Sequence, residues 1–174
     1  LMSQAEHDKL ASSILVTTSE KLADEVEKEV LRQTEKMERK DIILESFKNQ
    51  GAAIICSSRE QACDIANTIA PEHLEVCMKN PLELIGTLDN AGSVFLGNYA
   101  SEPLGDYFAG PNHVLPTSGT ARFFSPLGVY SFTKRSSFIY YTKEALSEAK
   151  EDIELIAKRE GLTAHANAIT VRFE

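Results

Sequence analysis

Apolar and polar positions follow two different periods along the first hundred residues. Ser13-Ile14-Leu15-Val16-Thr17-Thr18 is short, apolar and rich in β-branched side chains, which predicts a strand. Leu22, Val26 and Val30 then recur at steps of four among charges, which predicts an amphipathic helix with Ser19 as its N-cap. Lys40 to Asn49 reads as a second helix closed by Gly51. Ala52-Ala53-Ile54-Ile55-Cys56 is an unbroken apolar run, as expected of a strand buried on both faces. Ser58 opens a helix through Ile69, and Pro71 ends it, because proline disfavours helix in the residue before it. Leu74 to Met78 is the third strand, Pro81 to Ile85 a helical turn or two, and Ser93-Val94-Phe95-Leu96 the fourth strand. Strands alternating with helices predict an α/β fold: an open, mostly parallel sheet with right-handed crossovers, flanked by helices.

The pattern changes after Gly97. Five glycines and four prolines fall between Gly97 and Gly128, a density that suits a long ordered loop. Loops of that length in compact domains are often functional. Phe138 to Thr142 reads as extended. Lys143 to Arg159 is a helix with Leu146, Ala149, Ile153 and Ile156 on one side, stopped by Gly161. A short helix over Leu162 to Phe173 closes the chain. The expected organisation is an α/β domain over residues 1–128, with the Gly/Pro-rich loop 97–128 at its site. A mainly helical tail follows over 129–174. At the other end, Ser3-Gln4-Ala5-Glu6 has the form of a capping box, Ser3 and Glu6 each closing on the other's amide. The short helix it would start puts Gln4 and His7 on one face.

Composition narrows the classes of function. The 174 residues are 43% hydrophobic and 25% charged, ordinary for one globular domain. A net charge of −8 without a basic stripe argues against nucleic acid or an anionic membrane as partner. No apolar run approaches the ~20 residues of a membrane span. No apolar stretch follows Lys9 as a secretory leader would require. Cys56, Cys63 and Cys77 match no zinc spacing and read as free thiols in a reducing cytoplasm. Glycine-rich nucleotide loops and the nucleophile elbow of hydrolases are absent from the chain.

Only four histidines occur, and each lies beside a carboxylate or amide. Gln4 pairs with His7, Glu72 adjoins His73, Asp106 precedes Asn112-His113, and Glu160 precedes His165 across Gly161. Imidazole nitrogen and carboxylate oxygen are suitable zinc ligands. Taken singly, each such segment is more often a surface pair or a satisfied histidine than a ligand. Composition and spacing alone lead to an α/β protein with a candidate N/O metal site.

Taken together, six strings resemble histidinol dehydrogenase. They are Ser3-Gln4-Ala5-Glu6-His7, Ala70-Pro71-Glu72-His73-Leu74-Glu75, Gly105-Asp106-Tyr107, Asn112-His113-Val114-Leu115-Pro116-Thr117, Gly119-Thr120-Ala121-Arg122-Phe123 and Glu160-Gly161-Leu162-Thr163-Ala164-His165. The resemblance covers essentially the whole chain and implies an enzyme that oxidises L-histidinol through the aldehyde to L-histidine, with NAD as hydride acceptor. It implies one zinc ion per site, on Gln4, His7, Asp106 and His165. Glu72 and His73 match the acid–base pair, and His113 and Glu160 match residues that hold substrate, alongside Asp106 and His165. His165 and Glu160 are expected to cross from the partner of a homodimer with a shared site. One aspartate, two neutral histidines and a neutral amide would leave the zinc site at a formal charge of +1, suited to an alkoxide. Family members are much longer, so this chain is expected to be their C-terminal part, opening at Leu1-Met2 inside a strand-end motif, with no complete NAD site and no turnover alone. A truncated, non-catalytic metal-binding module is the alternative.

Overall fold

The computed structural model describes residues Leu1–Glu174. The chain divides into two compact units, Leu1–Phe132 and Thr133–Glu174.

The first unit begins with α1 (Met2–Ala5), β1 (Ser13–Thr17), α2 (Glu20–Thr34), α3 (Lys40–Gln50) and β2 (Gly51–Ile55). It continues with α4 (Arg59–Ile69), β3 (His73–Val76), a 3₁₀ segment (Pro81–Thr87), β4 (Ser93–Leu96) and α5 (Glu102–Tyr107). The strands form two parallel ladders. β1 pairs with β2 from Ser13 opposite Gly51 to Thr17 opposite Ile55. β3 pairs with β4 from His73 opposite Ser93 to Val76 opposite Leu96. Every strand pairing is parallel, and each pair is joined by a helical crossover, as the alternating pattern requires.

The helix starts follow the cap chemistry. Ser19 Oγ accepts from the Leu22 amide and Ser58 Oγ from the Gln61 amide, both at 3.2 Å, which satisfies one otherwise orphaned donor at each terminus. α4 ends where Ala70 turns left-handed at φ +52° immediately before Pro71. α1 does not follow the capping box. Leu1 is its N-cap and no side chain caps it, so Ser3 lies inside the helix. The helix is instead held by burial: Ala5 is fully enclosed where α1 meets α3 and β1, and Ser13 Oγ donates to the Leu1 carbonyl at 2.9 Å.

The core of the first ladder lies under α3. Ile43 and Ser46 are fully buried there, and Ser46 Oγ donates to the Ala11 carbonyl at 2.8 Å. β2 is not buried on both faces as its apolar run suggests. It has one neighbouring strand, and Ile55 remains 48% exposed. The loop expected over 97–128 contains α5 and a 3₁₀ turn at Thr120–Arg122. α5 accommodates Pro103 in its first turn, where a missing amide costs nothing. Its Gly105 is a packing glycine: a β-carbon there would sit 2.6 Å from the Phe95 ring. Close approach to β4 therefore explains a glycine that otherwise reads as a breaker.

The second unit is helical. α6 (Lys143–Arg159) and α7 (Thr163–Thr170) form a hairpin. Thr142 caps α6 by accepting from the Ala145 amide at 3.2 Å. Gly161, at φ +75°, closes it in a Schellman turn, with Leu162 N–H on the Ala157 carbonyl at 2.8 Å and Gly161 N–H on that of Lys158. Thr170 Oγ1 donates to Glu154 at 2.8 Å and ties the helices together; that bond, then Lys158, lowers the Glu154 pKa. Phe138 to Thr142 pairs with no strand. No helix is long and apolar enough to cross a membrane. All three cysteines are free; Cys56 and Cys63 are buried and Cys77 is exposed.

Candidate metal and active site

The second ladder and α5 converge on one group of donors. His73 is the first residue of β3, where the chain emerges from the Ala70-Pro71 corner. The Ser93 amide donates to the Glu72 carbonyl at 2.9 Å, which fixes the start of β3 against β4. The corner is also held from the other side, because Arg122 donates to the Thr68 carbonyl at the end of α4. The His73 ring then rests against Phe95, with ring centroids 6.0 Å apart. Phe95 is the residue over which Gly105 lets α5 settle, so one buried ring sets both β3 and α5.

That arrangement brings His73, Glu102 and Asp106 together. One donor atom from each lies within 4.8 Å of the others. Glu102 and Asp106 are four residues apart and share a face of α5. His73 Nδ1 lies 3.0 Å from Gln4 Oε1. With the amide oxygen as acceptor, Nδ1 carries the proton and Nε2 keeps its lone pair. Nitrogen and carboxylate oxygen donors at this spacing suit a divalent cation such as zinc.

The other expected residues fall in different places. Gln4 reaches the group through His73, whereas His7 is exposed, lies past the end of α1 and stands outside the three-donor group. Glu72 is half-buried beside His73. Asp106 and His113 line the same pocket of about 250 Å³, with Phe95 and Leu104 among its walls. Asn112 Oδ1 accepts from the Val114 amide at 2.7 Å, a local turn that sets the exposed His113. Glu160 caps the end of α6 and His165 lies on α7, both in the second unit and both exposed. Glu102 was not among the expected residues. Its signal was present as a carboxylate four residues before Asp106, but that spacing carries weight only if 102–107 is helical.

A parallel α/β scaffold with a histidine–carboxylate donor group at a strand start and an adjoining pocket defines a candidate metal-dependent enzyme. The histidinol dehydrogenase family model matches residues 1–173. A histidinol dehydrogenase from Listeria monocytogenes serovar 1/2a is 62% identical over 174 residues, which is all of this chain and 41% of that protein. One from Caldanaerobacter subterraneus subsp. tengcongensis is 61% identical over 99% of this chain and 40% of that protein. The crystal structure of histidinol dehydrogenase from Elizabethkingia anophelis superposes with a TM-score of 0.75 at 37% identity, over 99% of this chain and 40% of that one. The chain belongs to the histidinol dehydrogenase family, a family of oxidoreductases, and spans about two fifths of the length of these relatives.

Proposed function

We propose that this chain is the metal-holding portion of a zinc- and NAD-dependent histidinol dehydrogenase of histidine biosynthesis, working in the cytoplasm as a homodimer with a shared site. The observation that carries this reading is the meeting of His73 with Asp106, and of Gln4 with His73, residues drawn from three separate matching strings.

In this reading Gln4, His7 and Asp106 hold the ion and His165 completes the set from the partner subunit, while His73, although grouped with Asp106, serves as base and not as ligand, and His7 must turn inward from its exposed position. The zinc, when bound, orients the amine and imidazole of histidinol and favours the alkoxide, and NAD accepts each hydride. His73 takes the hydroxyl proton of the substrate through Nε2, while Gln4 keeps its Nδ1 hydrogen-bonded and its ring oriented. Loss of that proton with a hydride would take the alcohol to the aldehyde. Glu72 would then assist the addition of water to the aldehyde, and loss of a second proton and hydride would leave the carboxylate. His113, at the pocket wall beside Asp106, and Glu160 of the partner subunit hold the substrate in place.

The test is NADH formation from L-histidinol by the full-length enzyme carrying this segment, before and after chelation and zinc re-addition. Two NADH per histidinol, lost with the metal and regained with zinc, is the expected result. Zinc binding without any NADH would favour the non-catalytic module. This chain by itself is expected to give no turnover, since it spans two fifths of its relatives.

A further inference from the structure

The last carbonyls of a helix have no partner within it, and at the end of α4 distant segments supply them. Asn90 Nδ2 donates to the Asn67 carbonyl at 3.1 Å, and Arg122 donates to the Thr68 carbonyl. The half-buried Asn67 side chain binds the same distant turn in return. Its Nδ2 donates to the Thr87 carbonyl at 2.7 Å. Its Oδ1 accepts from the Asp89 amide at 2.8 Å and from the Asn90 amide at 3.2 Å. With a carbonyl on its nitrogen side and two amides on its oxygen side, the carboxamide has one orientation; an aspartate could accept but not donate.

The turn held this way leads within two residues to the backbone that sets the acid–base pair. The Gly92 amide donates to the Pro71 carbonyl and the Ser93 amide to the Glu72 carbonyl, both at 2.9 Å. The approach is close: a β-carbon on Gly92 would stand 2.6 Å from the Glu72 carbonyl oxygen. The peptide between Glu72 and His73 is therefore placed by a segment that Asn67 anchors. Two weaker ties run alongside, Thr87 Oγ1 to Cys63 Sγ at 3.5 Å and the exposed pair of Arg59 with Glu83 at 3.6 Å. They keep the turn near α4 but reach no further along the chain than Thr87.

We infer that Asn67 is a positioning residue for the Glu72–His73 pair, acting through the turn at residues 87–93 on where the base meets the substrate. The inference rests on the dehydrogenase reading above, which gives His73 the substrate proton. Asn67 neither lines the pocket beside Asp106 and His113 nor belongs to the three-donor group. Its loss is therefore a loss of rate, with substrate binding and metal affinity left in place. A merely structural asparagine would instead move stability, zinc affinity, KM and kcat together.

The experiment uses the full-length enzyme, with kcat and KM read from NADH formation on L-histidinol and zinc affinity from competition with a chromogenic chelator. Asn67→Leu keeps the approximate size and removes every side-chain hydrogen bond. It is expected to lower kcat roughly 10–100-fold, the scale of a displacement on the order of 1 Å at the reacting groups, with KM and zinc affinity unchanged. In a His73→Asn background the same substitution is expected to cost less than about threefold more, because nothing is left for Asn67 to position. Amide exchange at Gly92 and Ser93 is expected to quicken in Asn67→Leu, as the two bonds to Pro71 and Glu72 open more often. Asn67→Asp keeps the acceptor for Asp89 and Asn90 and is expected to retain more kcat than Asn67→Leu; where the leucine variant does not fold, the aspartate variant is judged by the same criteria. An unchanged kcat, a kcat loss matched by losses in KM and zinc affinity, or full additivity with His73→Asn overturns the inference. A wild type that makes no NADH from histidinol fails the dehydrogenase reading itself and takes this inference with it, whereas an active wild type beside an unaffected Asn67→Leu overturns the inference alone.

Discussion

The two parallel ladders of the first unit have the same local plan, and only one of them gathers chemistry. Around β1 and β2 the covering helices α2 and α3 pack through side chains: Ile43, Ser46 and Thr34 are all but inaccessible, and the charges point outward, as Arg32 does toward Glu29 at 2.5 Å. Beside β3 and β4 the neighbouring helix α5 packs through the absence of a side chain, at Gly105 over Phe95. A helix seated on a glycine comes close enough to the strand for its carboxylates to face the His73 ring. The difference teaches that close backbone approach, more than strand pairing, turns an ordinary parallel pair into a candidate site.

The comparison breaks most sharply at His73. In the full-length enzyme His73→Asn is expected to lower turnover by about 10²–10⁴-fold, the usual worth of a general base, while zinc affinity changes far less. Equal losses in kcat and in chelator-measured zinc affinity would make His73 a ligand and not a base. On the other ladder, Ile43→Ala should cost about 2–5 kcal/mol of unfolding free energy through the cavity it leaves, with the zinc affinity of the folded protein preserved. Denaturant unfolding beside a zinc titration checks this; a parallel fall in zinc affinity would mean that the two ladders are not separable in function.

Gly105→Ala sharpens the contrast from the side of the site. The added methyl meets ring atoms of Phe95 at 2.6 and 2.9 Å, and the ring is buried, so α5 must move. About 1–3 kcal/mol of stability is expected to go, typical of overpacking, and zinc affinity with it. Calorimetry and metal analysis of one sample would show both losses, and full zinc occupancy would refute the glycine argument. The smallest effect belongs to the outward charges. Hydrogen bonds from Arg32, then Gln33, hold Glu29 down at about 2, against an ordinary 4.5. A depressed carboxylate contributes stability above its unfolded value and loses it as pH falls through the folded one. Glu29→Gln is therefore expected to melt slightly below wild type at neutral pH and to converge with it as pH drops from about 4.5 toward 2. The pair is solvent-exposed, so the gap is small. A gap that persisted at pH 2 would show that the charge is not its source.

Much of this protein was decided locally and is legible residue by residue. Ser19, Ser58 and Thr142 start helices because each hydroxyl satisfies an amide a few residues ahead. Gly161 ends α6 because a left-handed residue closes a Schellman turn. The periods of two and near four marked strands and helices, and rare histidines beside acids marked the chemistry. Other features depended on neighbours far along the chain. α1 is secured by Ala5 against α3 and not by its capping box; α5 forms within a Gly/Pro-rich stretch because Phe95 accepts its glycine; β2 stays half open for want of a second neighbouring strand. The meeting of Gln4, His73, Glu102 and Asp106 belongs to the same kind. Capping and periodicity act over a few residues and can be read in order, whereas burial and charge proximity are set by what the folded backbone brings together. That is why the sequence alone determined which elements form and marked four histidine segments as candidates, and why only the tertiary structure decided that His73 and Asp106 meet, with Glu102 beside them.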